Sequence, residues 1–264
     1  MIYLNNLDLE ILLSYILKVD RSFLKAHPEK LLSKNQIKQF CKLAARRLQQ
    51  EPIAYIIKQK SFWDITLLVT KAVLIPRPET EILVEQALAK LPGNSQAKIL
   101  ELGTGSGAVS LAIAKHRPNV MVYATDISIA ALNIAKKNAE LLKIKNIIFY
   151  KSNWFDALSN LNFKFDLIIS NPPYISKEDI NYCDQEIFYE PKVALFASNN
   201  GLACFKNIIL NSVNYLKING YLILEHGFNQ KNKIIAMLRQ ANFVDITSIQ
   251  DLSLLDRALV SKKI

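Results

Sequence analysis

Cysteine and long apolar runs are both scarce in this 264-residue chain. The 3 cysteines, Cys41, Cys183 and Cys204, are odd in number and far apart, which excludes a disulfide framework and a Cys-x-x-Cys metal site. No uncharged apolar stretch reaches the ~18 residues of a membrane-spanning helix. The N-terminal segment also carries Asp8 and Glu10 where a signal peptide would be basic and then apolar. We therefore expect a cytoplasmic protein with no membrane partner and no metal.

Apolar residues make up 50% of the chain and charged residues 21%, a composition that can bury a core. The net charge of +10 is concentrated at the start, because residues 1–75 carry 12 basic and 6 acidic side chains, a net charge of +6. This basic quarter has two interpretations. It is either a surface for a partner that is, or sits on, nucleic acid, or a set of solvated lysines in a chain rich in Lys, Asn and Ile.

The periodicity of apolar residues changes twice along the chain. From Leu7 to about Gln50 they recur at helical spacing, which predicts a small helical bundle. Between Ser61 and Ile75 β-branched and aromatic residues predominate, which predicts a short β-hairpin connector. We place the helical domain at residues 1–60, the hairpin at 61–76 and a third domain at 77–264.

Strands and helices alternate in the third domain, a pattern typical of a parallel sheet with helices on both faces. Two β-like runs near the C-terminus predict an antiparallel edge. The fold class is therefore α/β, with a seven-stranded, mostly parallel, Rossmann-like sheet. The predicted strands are Lys98–Leu102, Val120–Thr125, Ile147–Lys151, Phe165–Ser170, Tyr221–His226, Val244–Ile249 and Arg257–Ser261.

A glycine-rich turn follows the first of these strands, with the sequence Gly103-Thr104-Gly105-Ser106-Gly107. Such a turn allows positive φ and lets a ligand approach the backbone closely. Its spacing departs from the G-x-G-x-x-G dinucleotide fingerprint, and the acidic Glu101 precedes it. An acidic neighbour and bare backbone amides suit the ammonium and carboxylate of a methionine-based cofactor.

The ends of the next two strands add two further candidate cofactor residues. Asp126 lies 19 residues after Gly107, where an acid can accept hydrogen bonds from both ribose hydroxyls. Trp154 follows the third strand, where it can stack on adenine or, alternatively, fill the core. Together these residues predict S-adenosylmethionine as the cofactor and S-adenosylhomocysteine as the product.

The fourth strand leads into Asn171-Pro172-Pro173-Tyr174, at the edge where open α/β sheets place ligands. Two prolines fix φ and remove both N–H donors, so this loop offers rigid hydrogen-bond acceptors. Asn171 Oδ1 and a proline carbonyl can hold an NH₂ group, and Tyr174 can lie against the flat system that bears it. We predict Asn171, Pro172 and Tyr174 as catalytic and all four residues as substrate-binding.

Five stretches of the chain resemble the release-factor glutamine methyltransferases, the PrmC/HemK family. They are Pro52-Ile53-Ala54-Tyr55 with Phe62-Trp63, Leu74-Ile75-Pro76-Arg77-Pro78-Glu79-Thr80-Glu81, Glu101–Gly107, Asn171–Ile175, and Tyr189-Glu190-Pro191 with Ala194-Leu195. The Pro-Arg-Pro-Glu-Thr-Glu segment is the most particular to this family, because the other loops occur in many amino-methyltransferases.

The resemblance implies a protein-glutamine N-methyltransferase that modifies N5 of the glutamine in the Gly-Gly-Gln motif of bacterial peptide-chain release factors. It implies that the helical domain docks this substrate. It also implies that Asn171–Tyr174 hold the glutamine and that the cofactor contacts are Gly103, Thr104, Gly105, Ser106, Gly107, Asp126, Trp154 and Asn171. Two positions depart from the family pattern: Asn153 replaces a common acid, and Leu254-Leu255 stand where a glycine is common.

Two other functions fit parts of the same pattern. A nucleic-acid methyltransferase acting on the amino group of adenine or guanine could use the same cradle. It would also need to house a flipped base and track phosphates, and residues 1–75 are short and helical for that task. We therefore expect release factors as partners and no stable nucleic-acid partner. A non-catalytic adaptor for release factors is the second alternative, and it predicts no cofactor binding.

Overall fold

A computed structural model describes residues 4–176, 178 and 185–264. Cys183 lies outside these residues. The described chain divides into two compact units, one comprising residues 4–59 with 185–189 and the other residues 60–176, 178 and 190–264. Among the described residues, no helix is both long and apolar enough to cross a membrane.

The first unit is the predicted helical bundle. Its two longer helices begin at capping residues: the Asn5 side chain accepts a hydrogen bond from the Asp8 amide, and Ser33 and Gln36 form a capping box. The buried core of this unit is Leu12, Ile16, Leu43, Ala44 and Ile56. The helices are α1 (Asn6–Leu17), α2 (Arg21–Ala26), α3 (Lys34–Leu48) and α4 (Ile53–Ile57).

A segment far along the chain, residues 185–189, also belongs to the first unit. Arg47 pairs with Asp8 at 2.8 Å and with Glu186 at 2.6 Å. The Tyr189 hydroxyl donates a hydrogen bond to the Gln49 carbonyl at 2.6 Å. These long-range contacts hold the segment on α3 and on the residue that caps it.

The hairpin consists of β1 (Gln59–Phe62) and β2 (Ile65–Leu68). Trp63, in its turn, adopts a positive φ of 53° and donates its backbone N–H to Glu81 Oε1 at 2.8 Å. The Asn138 carboxamide makes two hydrogen bonds to the backbone of Leu68, at 2.7 and 3.0 Å. The hairpin is thereby fastened to two helices of the second unit.

The second unit contains the predicted seven-stranded sheet, with strand order β5-β4-β3-β6-β7-β9-β8. Five strands are parallel, while β9 runs antiparallel to both β7 and β8. The predicted fold class is therefore confirmed, including the antiparallel edge. The strands are β3 (Lys98–Leu102), β4 (Met121–Asp126), β5 (Ile147–Lys151), β6 (Phe165–Ser170), β7 (Leu216–Glu225), β8 (Phe243–Gln250) and β9 (Asp256–Lys263).

The helices of the second unit cover the parallel strands. A 3-10 turn, Pro78–Thr80, leads into the first of them. The helices are α5 (Glu81–Lys90), α6 (Ala108–His116), α7 (Ile129–Leu141), α8 (Ala203–Tyr215) and α9 (Lys231–Gln240). The chain proceeds from β3 outward to β5 and then returns to β6 on the other side of β3. This reversal creates a crevice at the carboxyl ends of β3, β4 and β6, the position where open α/β sheets bind ligands.

Candidate active site

The glycine turn is held against the end of β4. The backbone amides of Gly103 and Thr104 both donate to the Thr125 carbonyl at 2.9 Å. Gly105 has φ of 55°, and a Cβ built on it would meet no atom within 4 Å. Glycine at this position allows the positive φ, and the space beside it is open. The sequence predicted backbone amides that are free to bind a ligand. Two of them, those of Gly103 and Thr104, already bond to the Thr125 carbonyl.

Asp126 ties the end of β4 to the glycine turn. Its Oδ2 accepts a hydrogen bond from the Gly105 amide at 2.8 Å, and its Oδ1 accepts one from the Ser128 amide at 2.8 Å. Burial raises the pKa of this carboxyl, although the backbone hydrogen bonds oppose the shift. Each oxygen keeps lone-pair capacity, so Asp126 can accept further hydrogen bonds from a ligand.

Glu101, on β3 just before the glycine turn, is buried and only 5% exposed. Burial raises its pKa to about 7, against the opposing effect of hydrogen bonds from Thr104 and Ser110. The Thr104 hydroxyl donates to Glu101 Oε2 at 2.5 Å. The site thus contains an acid that is only partly ionised near neutral pH, directly behind the turn that faces the crevice.

Trp154 lies three residues after the end of β5, with φ of 53°. Its ring lies 3.9 Å from the position that a Cβ on Gly103 would occupy. The same side chain packs against the hydrophobic core of the sheet while lining the crevice. Trp154 therefore packs in the core and also forms part of the crevice wall, and adenine stacking stays a prediction.

Asn171 follows β6 directly, and its amide orientation is set by a residue of the Pro-Arg-Pro-Glu-Thr-Glu segment. Asn171 Nδ2 donates a hydrogen bond to the Thr80 hydroxyl at 3.1 Å. Because the NH₂ end of this carboxamide bonds to Thr80, the Oδ1 atom is left to accept a hydrogen bond from another group. The side chain is partly exposed and lines the crevice.

Tyr174, at the other end of the same loop, is clamped at two points. Its hydroxyl donates to Glu225 Oε1 at 3.4 Å, and its carbonyl accepts from Gln230 Nε2 at 3.0 Å. Burial and the neighbouring Glu225 charge raise the pKa of the phenol, which stays protonated and remains a donor. The ring packs against the hydrophobic core of the sheet.

Glu190 joins two of the stretches that carry the family resemblance. Its side chain is buried, accepts a hydrogen bond from the Ile75 amide at 3.0 Å and forms an ion pair with Arg77. Pro191, the next residue, lines the crevice. Glu190 therefore holds one wall of the crevice on the segment that contains Thr80.

These elements enclose a cavity of about 260 Å³. The predicted site residues that line it are Gly103, Gly105, Asp126, Trp154, Asn171 and Pro173. The other predicted residues lie around it: Thr104 and Ser106 are buried beneath the turn, Gly107 precedes α6, Pro172 is buried in the loop, and Tyr174 is bonded to Glu225. The sequence analysis did not predict the roles of Thr80, Glu190 and Glu225. Thr80 and Glu190 lie in two of the stretches that carry the family resemblance, and that resemblance was the signal that could have indicated them.

Two family models match the chain. The model of the methyltransferase small domain matches residues 78–201, which include the glycine turn, Asp126 and Asn171. The model of the PrmC N-terminal domain matches residues 4–57, the helical unit. A release factor glutamine methyltransferase of Buchnera aphidicola subsp. Acyrthosiphon pisum is 47% identical over 254 residues, covering 96% of this chain and 90% of that protein. The chain belongs to the release factor glutamine methyltransferase family.

A second member of the release factor glutamine methyltransferase family, from Coxiella burnetii, is 45% identical and covers 97% of this chain and 91% of its own length. The family predicted from the sequence is therefore confirmed. Among solved structures, a methyltransferase from Pyrococcus furiosus aligns with a TM-score of 0.57 and 18% identity, covering 83% of this chain and 96% of that one. This likeness shows that the fold is that of a methyltransferase.

Proposed function

We propose that this chain transfers a methyl group from S-adenosylmethionine to N5 of the glutamine in the Gly-Gly-Gln motif of bacterial peptide-chain release factors. The observation that carries this proposal is the position of Asn171. It lines the same cavity as the glycine turn and Asp126, with its NH₂ group engaged by Thr80 and its oxygen left as an acceptor. Membership of the family supports the same reaction.

The residues around the cavity fit S-adenosylmethionine. The glycine turn leaves open space where a side chain would otherwise stand, and the adjacent Asp126 carboxylate suits a ribose. Trp154 offers an aromatic face for adenine, and the buried acid Glu101 adds negative potential behind the turn for an ammonium group. We assign cofactor binding to Gly103, Thr104, Gly105, Ser106, Gly107, Asp126, Trp154 and Asn171. When bound, the cofactor supplies an electrophilic methyl group on a sulfonium.

The protein's task in this reaction is to position a poor nucleophile. An amide nitrogen is delocalised into its carbonyl, with a rotation barrier of ~18–20 kcal/mol. Fixing it in a reactive geometry contributes roughly 7–11 kcal/mol. Asn171 Oδ1 and a proline carbonyl of the loop accept hydrogen bonds from the NH₂ group, and acceptors there stabilise the positive charge that develops on nitrogen.

We assign substrate holding to Asn171, Pro172, Pro173 and Tyr174, with Asn171, Pro172 and Tyr174 as the catalytic set. Pro172 and Pro173 have no N–H, so their backbone presents acceptors alone to a substrate amide. Tyr174 contributes by fixing the end of the loop, since its hydroxyl bonds to Glu225.

The two ends of the chain have different tasks in this proposal. Residues 1–60 dock the release factor, and residues 61–76 connect the two domains and contribute Ala72, Val73 and Leu74 to the cavity wall. Residues 77–264 carry the rest of the cofactor site and the chemistry. The net charge of +6 on residues 1–75 suits a partner that works on the ribosome. We place the reaction in the cytoplasm, where release factors act.

Incubation with isotope-labelled cofactor tests this function directly. The purified chain is given a release factor, the same factor with the Gly-Gly-Gln glutamine replaced by alanine, or nucleic acid. We expect label on the first substrate alone. Label on nucleic acid would instead indicate a base methyltransferase. Absence of cofactor binding by calorimetry would indicate a non-catalytic adaptor.

A further inference from the structure

Glu225 is a buried acid at the carboxyl end of β7, beside the site but outside the cavity lining. Its residue is only 2% exposed, and the strand residues before it, Leu222–Leu224, are buried and apolar. Its Oε2 has no hydrogen-bond partner among the described residues. A buried polar atom without a partner costs about 1–3 kcal/mol. An acid at this position therefore lowers stability, and its contacts indicate a role in the site.

Two hydroxyl groups lie beside this carboxylate. The Tyr174 hydroxyl donates to Oε1 at 3.4 Å, and the Thr80 hydroxyl interacts with the same carboxyl and favours its charged form. The Thr80 oxygen accepts a hydrogen bond from Asn171 Nδ2 at 3.1 Å. Because a hydroxyl has one proton, Thr80 can accept from Asn171 and still direct its own proton to Glu225.

We propose that Glu225 is a positioning residue that, through Thr80, sets the amide orientation of Asn171 so that Oδ1 faces the cavity. An ionised carboxylate can only accept hydrogen bonds. It therefore forces Thr80 to donate to it and leaves Thr80 as an acceptor for the NH₂ end of Asn171. Without this acceptor, the Thr80 proton can turn toward Asn171. Asn171 can then rotate its carboxamide and present a donor to the substrate NH₂ group.

This inference rests on the proposed function, since a glutamine NH₂ group is what needs an acceptor at this point. The charge of Glu225 also makes the orientation dependent on pH. Burial and, to a smaller extent, the charge of Glu79 raise the pKa of Glu225 to about 7, against the opposing effects of the Thr80 and Tyr174 hydroxyls and the charge of Arg257. Below this pH the carboxyl is protonated and gains a donor, so the direction of the hydrogen bonds is no longer determined.

Glu225→Gln, Thr80→Val and Thr80→Ser in the full chain test the proposal. Glu225→Gln keeps the shape of the side chain, but glutamine can both donate and accept hydrogen bonds. Thr80→Val removes the connecting hydroxyl without changing any charge, and Thr80→Ser retains that hydroxyl. We expect kcat for release-factor methylation to fall ~10- to 100-fold in the first two variants. We expect the serine variant to retain most of it. Calorimetry should give near-wild-type cofactor affinity for all three, and circular dichroism should confirm folding.

The pH profile separates positioning from a general structural role. Wild-type kcat should rise between about pH 6 and 8 with a midpoint near 7, and Glu225→Gln should remove this rise. A folded Glu225→Gln protein with wild-type kcat and an unchanged profile would overturn the proposal. So would a Thr80→Val protein with wild-type kcat.

A second readout needs no activity. In ¹⁵N-labelled protein, the side-chain amide resonances of Asn171 should shift with pH in the wild type, with a midpoint near 7, and should not do so in Glu225→Gln. If the wild type modified no release factor but showed this titration, the proposed function would fail and the positioning role would stand. A flat response in the wild type, or the same titration in Glu225→Gln, would contradict the positioning role.

Discussion

Asp126 Oδ2 accepts a hydrogen bond from the Gly105 amide at 2.8 Å, which joins the end of β4 to the glycine turn that follows β3. Burial raises the pKa of the same carboxyl, so the backbone amides are what favour its charged form. The acid therefore both shapes the turn and offers its remaining lone pairs to the cavity.

We expect Asp126→Ala to weaken binding of S-adenosylmethionine. A charged acceptor for hydroxyl groups contributes ~1.5–3 kcal/mol, which corresponds to roughly a 10- to 150-fold loss of affinity. Asp126→Asn keeps the shape and one acceptor oxygen, but it removes the charge and places an NH₂ group against the backbone N–H of Gly105 or Ser128, so it should also weaken binding. Isothermal titration calorimetry measures both. Wild-type affinity in the alanine variant would remove Asp126 from the cofactor site.

The exposed lysines of α3 provide a test of substrate docking by the helical unit. Lys34, Lys38 and Lys42 are exposed and four residues apart, so they share one face of the helix. Reversing all three to Glu should raise KM for an intact release factor without changing kcat, and the effect should shrink at high salt. Reversal of Lys136, Lys137 and Lys143 to Glu, at exposed positions in and just after α7, is the charge-matched control. Equal effects of the two sets would exclude a specific docking face.

Glu101 predicts a pH dependence of stability. Its pKa is raised from 4.5 to about 7 by burial, so the folded state binds the proton more tightly than the unfolded state does. Its contribution to stability is therefore complete below about pH 4.5 and is lost as pH rises through about 7. The loss is on the order of 3 kcal/mol.

Denaturant unfolding of the cofactor-free protein at several pH values measures this contribution. Glu101→Gln should reduce the decline in the free energy of unfolding between about pH 5 and 8 by on the order of 3 kcal/mol. A further decline should remain, because burial also raises the pKa of Glu225 to about 7. Glu85→Gln, at an exposed position of α5, should leave the decline unchanged. A Glu101→Gln protein that kept the wild-type slope would show that Glu101 is not the group responsible.

Leu254 occupies a left-handed backbone position in the turn between β8 and β9. Its φ is 61°, and its side chain is 76% exposed, so the residue bears conformational strain without burying much apolar surface. We expect Leu254→Gly to stabilise the protein by about 1 kcal/mol or less, since relief of ~1–2 kcal/mol of strain is partly offset by the flexibility of glycine. Thermal unfolding should show a Tm higher by about 2 °C.

Leu252 is the matched control for this substitution. It lies in the same turn, is fully exposed, and is not among the positive-φ residues of the described chain. Leu252→Gly should therefore lower Tm slightly, because it adds chain flexibility without relieving strain. A lower Tm for both variants would show that Leu254 is not strained.

The gathering of Gly105, Asp126 and Asn171 in one cavity could be predicted from the sequence. Asp126 ends a strand and the other two follow one, and the carboxyl ends of neighbouring parallel strands lie at one edge of the sheet. The start of β7 was not predicted, because the strand begins at Leu216 rather than at Tyr221. Leu216 pairs with Phe165, the register with β6 then shifts, and regular pairing resumes at Tyr221 with Leu167. Asn219 has a positive φ of 64° in this irregular stretch, so the local sequence resembles a turn.

The supporting residues of the site were not predictable in the same way. Thr80 and Asn171 are 91 residues apart, and Tyr174 and Glu225 are 51 apart, with no periodic pattern linking them. An acid at the end of an apolar strand does not reveal which hydroxyl groups will meet it. Likewise, nothing local in residues 185–189 indicates that they pack with the helical unit.

The rate of methyl transfer by Asn171→Ala tests the central claim most directly. The substrate is an intact release factor, the methylated residue is identified by mass spectrometry, and circular dichroism confirms folding. Loss of a positioned group of this kind typically lowers the rate ~10²–10³-fold, and we expect that loss here. Asn171→Asp keeps an acceptor and should retain partial activity. An Asn171→Ala enzyme that methylated the Gly-Gly-Gln glutamine at near the wild-type rate would contradict the assignment of Asn171 as the acceptor that holds the substrate amide.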